Sequence, residues 1–252
     1  MDTIYSTSNK TIKLVKQLQF EKKYRDVTNM FCVGTKRIVD HLIKDGYICK
    51  FILVSENSKY QYEFKKYQTY LTSDTIINSL SSLSNGDGII GVFEKKKTQF
   101  SIKPKGKYVI LDRIQNPANL GAIIRTCLAF NIDGVIVTND SVDIYNPSVI
   151  RGSMGSIFSI PFKFYTSLPD AINSFKSSNY TIYGTALEKT AKSLNDTKFS
   201  DNSVVIFGNE GNGLNKKDLG LCNQIIYIPI NEKIDSLNIG ASVAIVAWKL
   251  SQ

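Results

Sequence analysis

The sequence predicts an α/β protein in two parts, a small basic α/β half followed by a half built on a mostly parallel sheet. Three observations predict it. Short apolar runs alternate with amphipathic stretches along the whole chain. A lysine-rich stretch, EKKKTQFSIKPKGK at 94–107, interrupts that alternation without helical periodicity. The charge divides at the same place. Residues 1–107 hold 19 Lys and Arg against 10 Asp and Glu, whereas residues 108–252 hold 12 of each. The expected domains are therefore 1–94 and 108–252, joined by an exposed connector over 95–107 that would also suit phosphate contact.

In the first half, Ser8 or Asn9 caps a helix over SNKTIKLVKQLQFEKKY, whose apolar residues recur at Ile12, Val15 and Leu18. MFCVG (30–34) is a short strand, and TKRIVDHLIKDG is a helix that Gly46 ends. CKFILVS (49–55) is a second strand, Ser73 caps a helix over DTIINSLSSL, and GIIGVFE (88–94) is a third strand. In the second half the strands are YVILD (108–112), DGVIVTN (133–139), YTIYGTAL (180–187), SVVIFGNEG (203–211) and QIIYIPI (224–230). A helix over SLNIGASVAIVAWKL closes the chain. Runs of this kind fit a mostly parallel sheet covered on both faces, in which ligands bind beyond the carboxyl ends of the strands.

Composition excludes several classes of function. With 42% hydrophobic and 21% charged residues, the chain of 252 residues has ordinary globular usage. Its four cysteines, Cys32, Cys49, Cys127 and Cys222, form no C-x-x-C pair, and His41 is the one histidine. No metal site is expected, and the cysteines read as reduced in a cytoplasmic protein. IGASVAIVAWKL is too short to span a bilayer, and MDTIYSTSNK lacks an apolar run. A basic front half joined to a neutral back half suits a polyanionic partner. The competing reading is drifting surface charge on a lysine-rich chain.

Three polar loops fall at strand ends. In DRIQNPANLGAIIRT (112–126), Asn116 is a helix cap and Pro117 suits the first helical position. Ala118, Gly121, Ala122 and Arg125 share one side of that helix, leaving Leu120, Ile123, Ile124 and Leu128 for the core. The small side either admits a ligand beside a guanidinium or packs tightly against another helix. FGNEGNGL (207–214) has the spacing G-x-x-G-x-G, which is neither a dinucleotide fingerprint nor a phosphate loop. Glu210 within it disfavours phosphate and suits a cationic or hydroxyl-bearing ligand, unless the loop is a plain turn. In IPINEKIDSLNIGAS (228–242), Ser236 and Asn238 precede the last helix, and a cap needs only one of them.

Together NPANLGAIIR, FGNEGNGL and IPINEKIDSLNIGAS resemble, in order and spacing, the three motifs of the SpoU–TrmH (SPOUT) family of RNA ribose methyltransferases. The basic half resembles the ribosomal-protein-like substrate-binding domain of rRNA-directed members. The resemblance implies a deep trefoil knot, a homodimer through the C-terminal domain, S-adenosylmethionine as cofactor and RNA as partner. The implied reaction is methyl transfer to a ribose 2′-hydroxyl of structured RNA, above all 23S-type rRNA. Alternatives are a tRNA substrate, or a non-catalytic RNA-binding or ribosome-assembly factor. By the family pattern Asn119, Arg125, Glu210, Ser236 and Asn238 are catalytic, with Arg125 activating the hydroxyl either as base or as phosphate and oxyanion stabiliser. Thr185, Gly208, Ile228 and Leu237 match the cofactor pocket. One departure is IGASVAI after SLN, where many members have a valine and a serine. For RNA contact the basic half offers Lys10, Lys13, Lys22, Lys23, Arg25, Lys36 and Arg37, with Tyr5, Phe20 and Tyr24 for stacking on unpaired bases.

Overall fold

The computed structural model describes residues 2–80, 87–96, 99–138 and 140–252. The chain divides into two compact units, 1–97 with 145–155, and 98–144 with 156–252. The end of the helix expected over 74–83, part of the connector (97 and 98) and the end of the strand expected over 133–139 lie outside the described residues.

The first unit holds β1 (Asp2–Ile4), α1 (Lys10–Phe20), α2 (Lys22–Thr28), β2 (Met30–Val33) and α3 (Lys36–Lys44). It continues with β3 (Cys49–Ser55), β4 (Thr69–Thr72), α4 (Asp74–Leu80) and β5 (Ile89–Glu94). The sheet runs β1-β4-β3-β5-β2, with β5 antiparallel to both of its neighbours. Asn9 is the cap of α1, its Oδ1 accepting from the Thr11 amide at 2.8 Å. The helix expected over 8–24 is two helices, because Glu21 is extended at φ −114°. That break turns α2 back so that Arg25 lies inside, 2% exposed, with Nη1 donating to the carbonyls of Leu18 (2.7 Å) and Gln19 (3.3 Å). Arg25 therefore secures the end of α1 and is no phosphate contact, which corrects its place among the RNA-binding residues. The strands β1 and β4 were not expected; each is short, and they pair with each other at the side of the sheet away from β2.

The second unit holds β6 (Gly106–Leu111), α5 (Pro117–Ala129) and β7 (Gly134–Thr138). The next helix, α6 (Pro147–Gly152), belongs to the first unit, although its segment was expected with the second half. There follow β8 (Phe162–Tyr165), α7 (Leu168–Lys176), β9 (Thr181–Thr185), β10 (Lys192–Ser193), β11 (Asn202–Phe207), α8 (Lys216–Leu219), β12 (Gln224–Tyr227) and α9 (Ile239–Ser251). Seven strands pair in parallel in the order β10-β12-β9-β11-β6-β7-β8. Two of them, β8 and β10, were not expected, because FKFY is only four residues with one buried and KS has no apolar residue. Tyr108, Ile110, Val204 and Ile206 pack with Ile172 and Phe175 of α7, while the alternate residues Val109, Leu111, Val205 and Phe207 are buried as well. Burial on both faces is why these strands read as unbroken apolar runs.

The connector is more tied down than expected. Phe100 and Ile102 pack on the core of the second unit, and the Tyr180 hydroxyl donates to the Lys103 carbonyl at 2.8 Å. Lys95, Lys103 and Lys105 pair with Asp26, Asp133 and Asp201 at 2.7, 2.5 and 3.0 Å.

Arg25→Met keeps the bulk and removes both donors from buried carbonyls. We expect urea unfolding of the first unit to report a loss of about 1–3 kcal/mol, whereas a surface arginine would change stability by only a few tenths.

Candidate active site

Strand order places the site. The chain proceeds from β6 outward to β7 and β8, then returns to the other side of β6 with β9, β11 and β12. Such a reversal leaves a crevice at the carboxyl ends of the strands. Leu111 pairs with Phe207 at the ends of β6 and β11, so the loop before α5 and the glycine loop after β11 leave the sheet side by side.

Glu210 joins them. Its Oε2 accepts from the Gln115 amide (3.2 Å), and its Oε1 from the Asn116 amide (3.2 Å) and the Asn119 side chain (3.3 Å). Burial alone would push the Glu210 carboxyl up. The amides of Glu210 itself, Gln115 and Asn116, with the Asn119 side chain, outweigh it and hold the group below its ordinary value. Glu210 is thus a carboxylate fixed on donors, which makes it a poor base. Asn119 passes the connection on, its Oδ1 accepting from Asn238 Nδ2 at 3.2 Å. Asn238 is also the cap of α9, its Oδ1 accepting from the Gly240 amide at 2.8 Å, just as Asn116 caps α5 through the Ala118 amide at 2.9 Å. One residue from each of the three polar loops is therefore linked in one chain of hydrogen bonds.

A cavity of about 350 Å³ opens beside this chain. Thr185, Gly208, Ile228 and Leu237 all line it, together with Glu210 and Ser236. Its remaining wall is largely apolar, including Leu194, Leu214, Ile226 and Val246. The Thr185 hydroxyl is already engaged, donating to the Ile206 carbonyl at 2.9 Å. Asn119, Arg125 and Asn238 are not wall residues. Arg125 stands exposed on α5, and no hydrogen bond or ion pair holds it among the described residues. The small-residue face is narrower than expected, since Gly121 is buried while Ala118 and Ala122 are exposed.

Spacing did not point to two residues that the geometry makes central. Arg113 sits in the left-handed region at φ +55°, its Nε donating to buried Asp112 (2.7 Å) and its Nη2 to the Gly213 carbonyl (3.1 Å). Asn209 answers it, with Nδ2 donating to the Arg113 carbonyl (2.9 Å) and Oδ1 accepting from the amides of Gly211 (3.0 Å) and Asn212 (3.1 Å). The one legible signal was the asparagine within a glycine-rich turn. Gly208 must be glycine for space, because a Cβ there would lie 2.3 Å from the Gly213 carbonyl carbon.

In the first unit Lys10, Lys13, Lys22, Lys23 and Arg37 are exposed, and Lys22 pairs with Asp26 at 2.6 Å. Tyr5 and Phe20 are exposed, whereas Tyr24 packs against the core. Lys36 is occupied by Asp40 (2.5 Å) and Glu63 (3.0 Å). No group of His, Cys, Asp and Glu among the described residues could hold a metal ion, and none of their helices is long and apolar enough to cross a membrane.

Residues 106–248 match the SpoU rRNA Methylase family, a span that includes all three loops and the cavity. The chain belongs to that family. Residues 9–91 match the MRM3-like substrate binding domain. The 23S rRNA (guanosine(2553)-2'-O)-methyltransferase RlmP of Bacillus subtilis (strain 168) is 28% identical over 251 residues, covering 99% of each chain. The AdoMet-bound rRNA methyltransferase from Sinorhizobium meliloti matches with a TM-score of 0.86 at 25% identity, over 99% of this chain and 97% of that one. AviRb from Streptomyces viridochromogenes, solved with AdoMet, matches with a TM-score of 0.83 at 21% identity over 96% and 98%, which speaks for the fold alone.

Two variants test this SpoU site as a structure. Gly208→Ala must displace the glycine loop, and we expect a lower melting temperature with faster hydrogen exchange at 209–213. For Glu210 the folded carboxyl lies below its unfolded value, so its contribution is present above the ordinary carboxylate range and lost as pH falls. The stability gap between wild type and Glu210→Gln should be full at about pH 7 and close below about pH 4. A gap that widened on acidification would contradict the assignment.

Proposed function

We propose that this protein transfers a methyl group from S-adenosylmethionine to a ribose 2′-hydroxyl of structured RNA, with 23S-type rRNA as the substrate. The observation that carries the proposal is the linkage of Glu210, Asn119 and Asn238 beside a largely apolar cavity.

The residues present fit the cofactor. The apolar wall from Leu194, Leu214, Ile226 and Leu237 suits a purine ring, and the Glu188 carboxylate on the same wall suits a cation, that of Glu210 being taken by amides. When bound, S-adenosylmethionine supplies an activated methyl group on a sulfonium. Thr185, Gly208, Ile228 and Leu237 are the residues that would hold it, with Ser236 beside them. Glu210 and Asn119 set the start of α5, and Asn238 sets the start of α9 against it. Arg125, exposed and without a partner among the described residues, is free to receive the phosphate beside the target ribose and to stabilise charge on the attacking oxygen. A guanidinium stays protonated in ordinary protein settings, so we assign Arg125 this role rather than that of base. The work of the protein is alignment and charge placement, which suits a nucleophile that is scarcely ionised at neutral pH.

The same reading includes a homodimer through the second unit. Trp248 and Ile245 leave an apolar strip exposed on α9, the helix that packs on α5, and a second copy would cover it. It also includes a trefoil knot in that unit, a cytoplasmic location, and the division of labour between a substrate-binding unit and a catalytic one.

Incubation with tritiated S-adenosylmethionine and ribosomal RNA tests the reaction. Wild type should label 2′-O-methylated nucleotides. Arg125→Ala should fall by about 10²-fold in turnover, the size seen when one charge-stabilising donor is removed, with cofactor affinity by calorimetry unchanged. No label above background with wild type on any ribosomal RNA would reject the proposal.

A further inference from the structure

Lys36 opens α3, yet after buried Arg25 it is the least available cation of the first unit's candidates. Its Nζ meets Asp40 and Glu63, and those carboxylates push its pKa up to about 12. The same ammonium lies 5.3 Å over the Tyr60 ring and 6.0 Å over the ring of buried Phe64. Lys36 therefore pins the irregular segment 56–68, between β3 and β4, to the start of α3. It also neutralises Glu63, the acid nearest the middle of that segment.

With Glu63 so paired, what remains outward over 59–66 is basic and aromatic, and exposed Glu56 at the start of the segment accepts from the Tyr5 hydroxyl at 2.8 Å. Lys59, Lys65 and Lys66 are exposed, and among the described residues no carboxylate pairs with them. Tyr62 is 63% exposed, and Lys65 Nζ lies 4.8 Å over its ring. Lys59 Nζ lies 5.0 Å over the Tyr60 ring, and Arg37 is exposed one residue beyond Lys36. An aromatic face beside ammonium groups is matched to a single nucleotide, whose base stacks while its phosphate meets the cation. A duplex conceals its base faces, so the match is to unpaired RNA.

We propose that the turn 59–66, with Arg37, is a docking surface for unpaired nucleotides of the RNA substrate, Tyr62 taking a base and Lys59, Lys65 and Lys66 the phosphates. This rests on RNA being the substrate, and it places the contact on residues other than the lysines of α1 and α2.

The test is fluorescence anisotropy of the full chain with a labelled RNA hairpin carrying an unpaired loop, and with a blunt duplex of the same stem. Tyr62→Ala should weaken hairpin binding about tenfold, within the range for loss of one base stack, and leave duplex binding nearly unchanged. Tyr62→Phe should bind as wild type. Lys65→Ala with Lys66→Ala should reduce the slope of log affinity against log salt by roughly 0.7 per lysine. Hairpin affinity of Tyr62→Ala within twofold of wild type, or equal losses on both RNAs, would overturn the proposal. Tyr62 is exposed, so these variants keep the fold, which thermal melts verify. If wild type binds the hairpin through Tyr62 but methylates no ribosomal RNA, the surface stands and the proposed reaction falls.

Discussion

The arrangement of the second unit depends on one carboxylate meeting a helix start. The first amides of a helix have no partner within it, and they favour a negative group. Asn116 satisfies only the Ala118 amide, and Glu210 arrives from another loop to take the amides of Gln115 and of the cap Asn116, just ahead of the helix. A loop with three glycines has little reason of its own to hold one shape. Anchoring it through a charge-assisted contact at its centre converts it into a defined wall of the cavity. The same carboxylate orients Asn119, and Asn119 orients Asn238, so three segments far apart in sequence share one geometry.

How much of this was legible follows from where the signals lie. The cap Asn116 was readable, and Asn9 and Asn238 were each readable as one of two candidates, because a cap is a local event, decided within three residues. The central strands were readable because burial on both faces leaves an apolar run. The strands β1, β4, β8 and β10 were not, since two to four residues with polar members become strands only when a neighbour offers its hydrogen bonds. The cavity residues Thr185, Gly208, Ile228 and Leu237 came to light by resemblance and by their place at strand ends. That Glu210 binds amides rather than a ligand cation was beyond reach, because it depends on a pairing of Leu111 with Phe207 nearly a hundred residues apart.

Charge was legible as a sum and misleading residue by residue. The basic excess of residues 1–107 holds, but the structure sorts its members. Arg25 is interior, Lys22 and Lys95 share Asp26, and Lys36 is enclosed by two carboxylates and two rings. A cation already paired gains little from phosphate, since it must first give up its partner. The cations left outward are those whose acidic neighbours in sequence are engaged elsewhere, as Glu63 is by Lys36. Sequence proximity of Lys and Glu thus conceals basic surface as readily as it cancels it.

Arg113 shows how the site tolerates strain. A non-glycine residue at positive φ costs on the order of 1–3 kcal/mol unless its surroundings fix it. Here all of its polar groups are used: the amide donates to the Thr138 hydroxyl at 3.0 Å, the carbonyl accepts from Asn209, and the guanidinium bridges Asp112 and the Gly213 carbonyl. A glycine would relieve the backbone but would leave Asp112, which is nearly buried, without its counter-charge, and would release the glycine loop at its far end. A lysine would keep the charge but not the fork that reaches two acceptors at once. Arginine at this turn is therefore the residue that holds Gly213 from one side while Glu210 holds the centre of the loop from the other. With both ends of the constraint supplied by the strand β6 and its following turn, the loop is positioned before any ligand arrives.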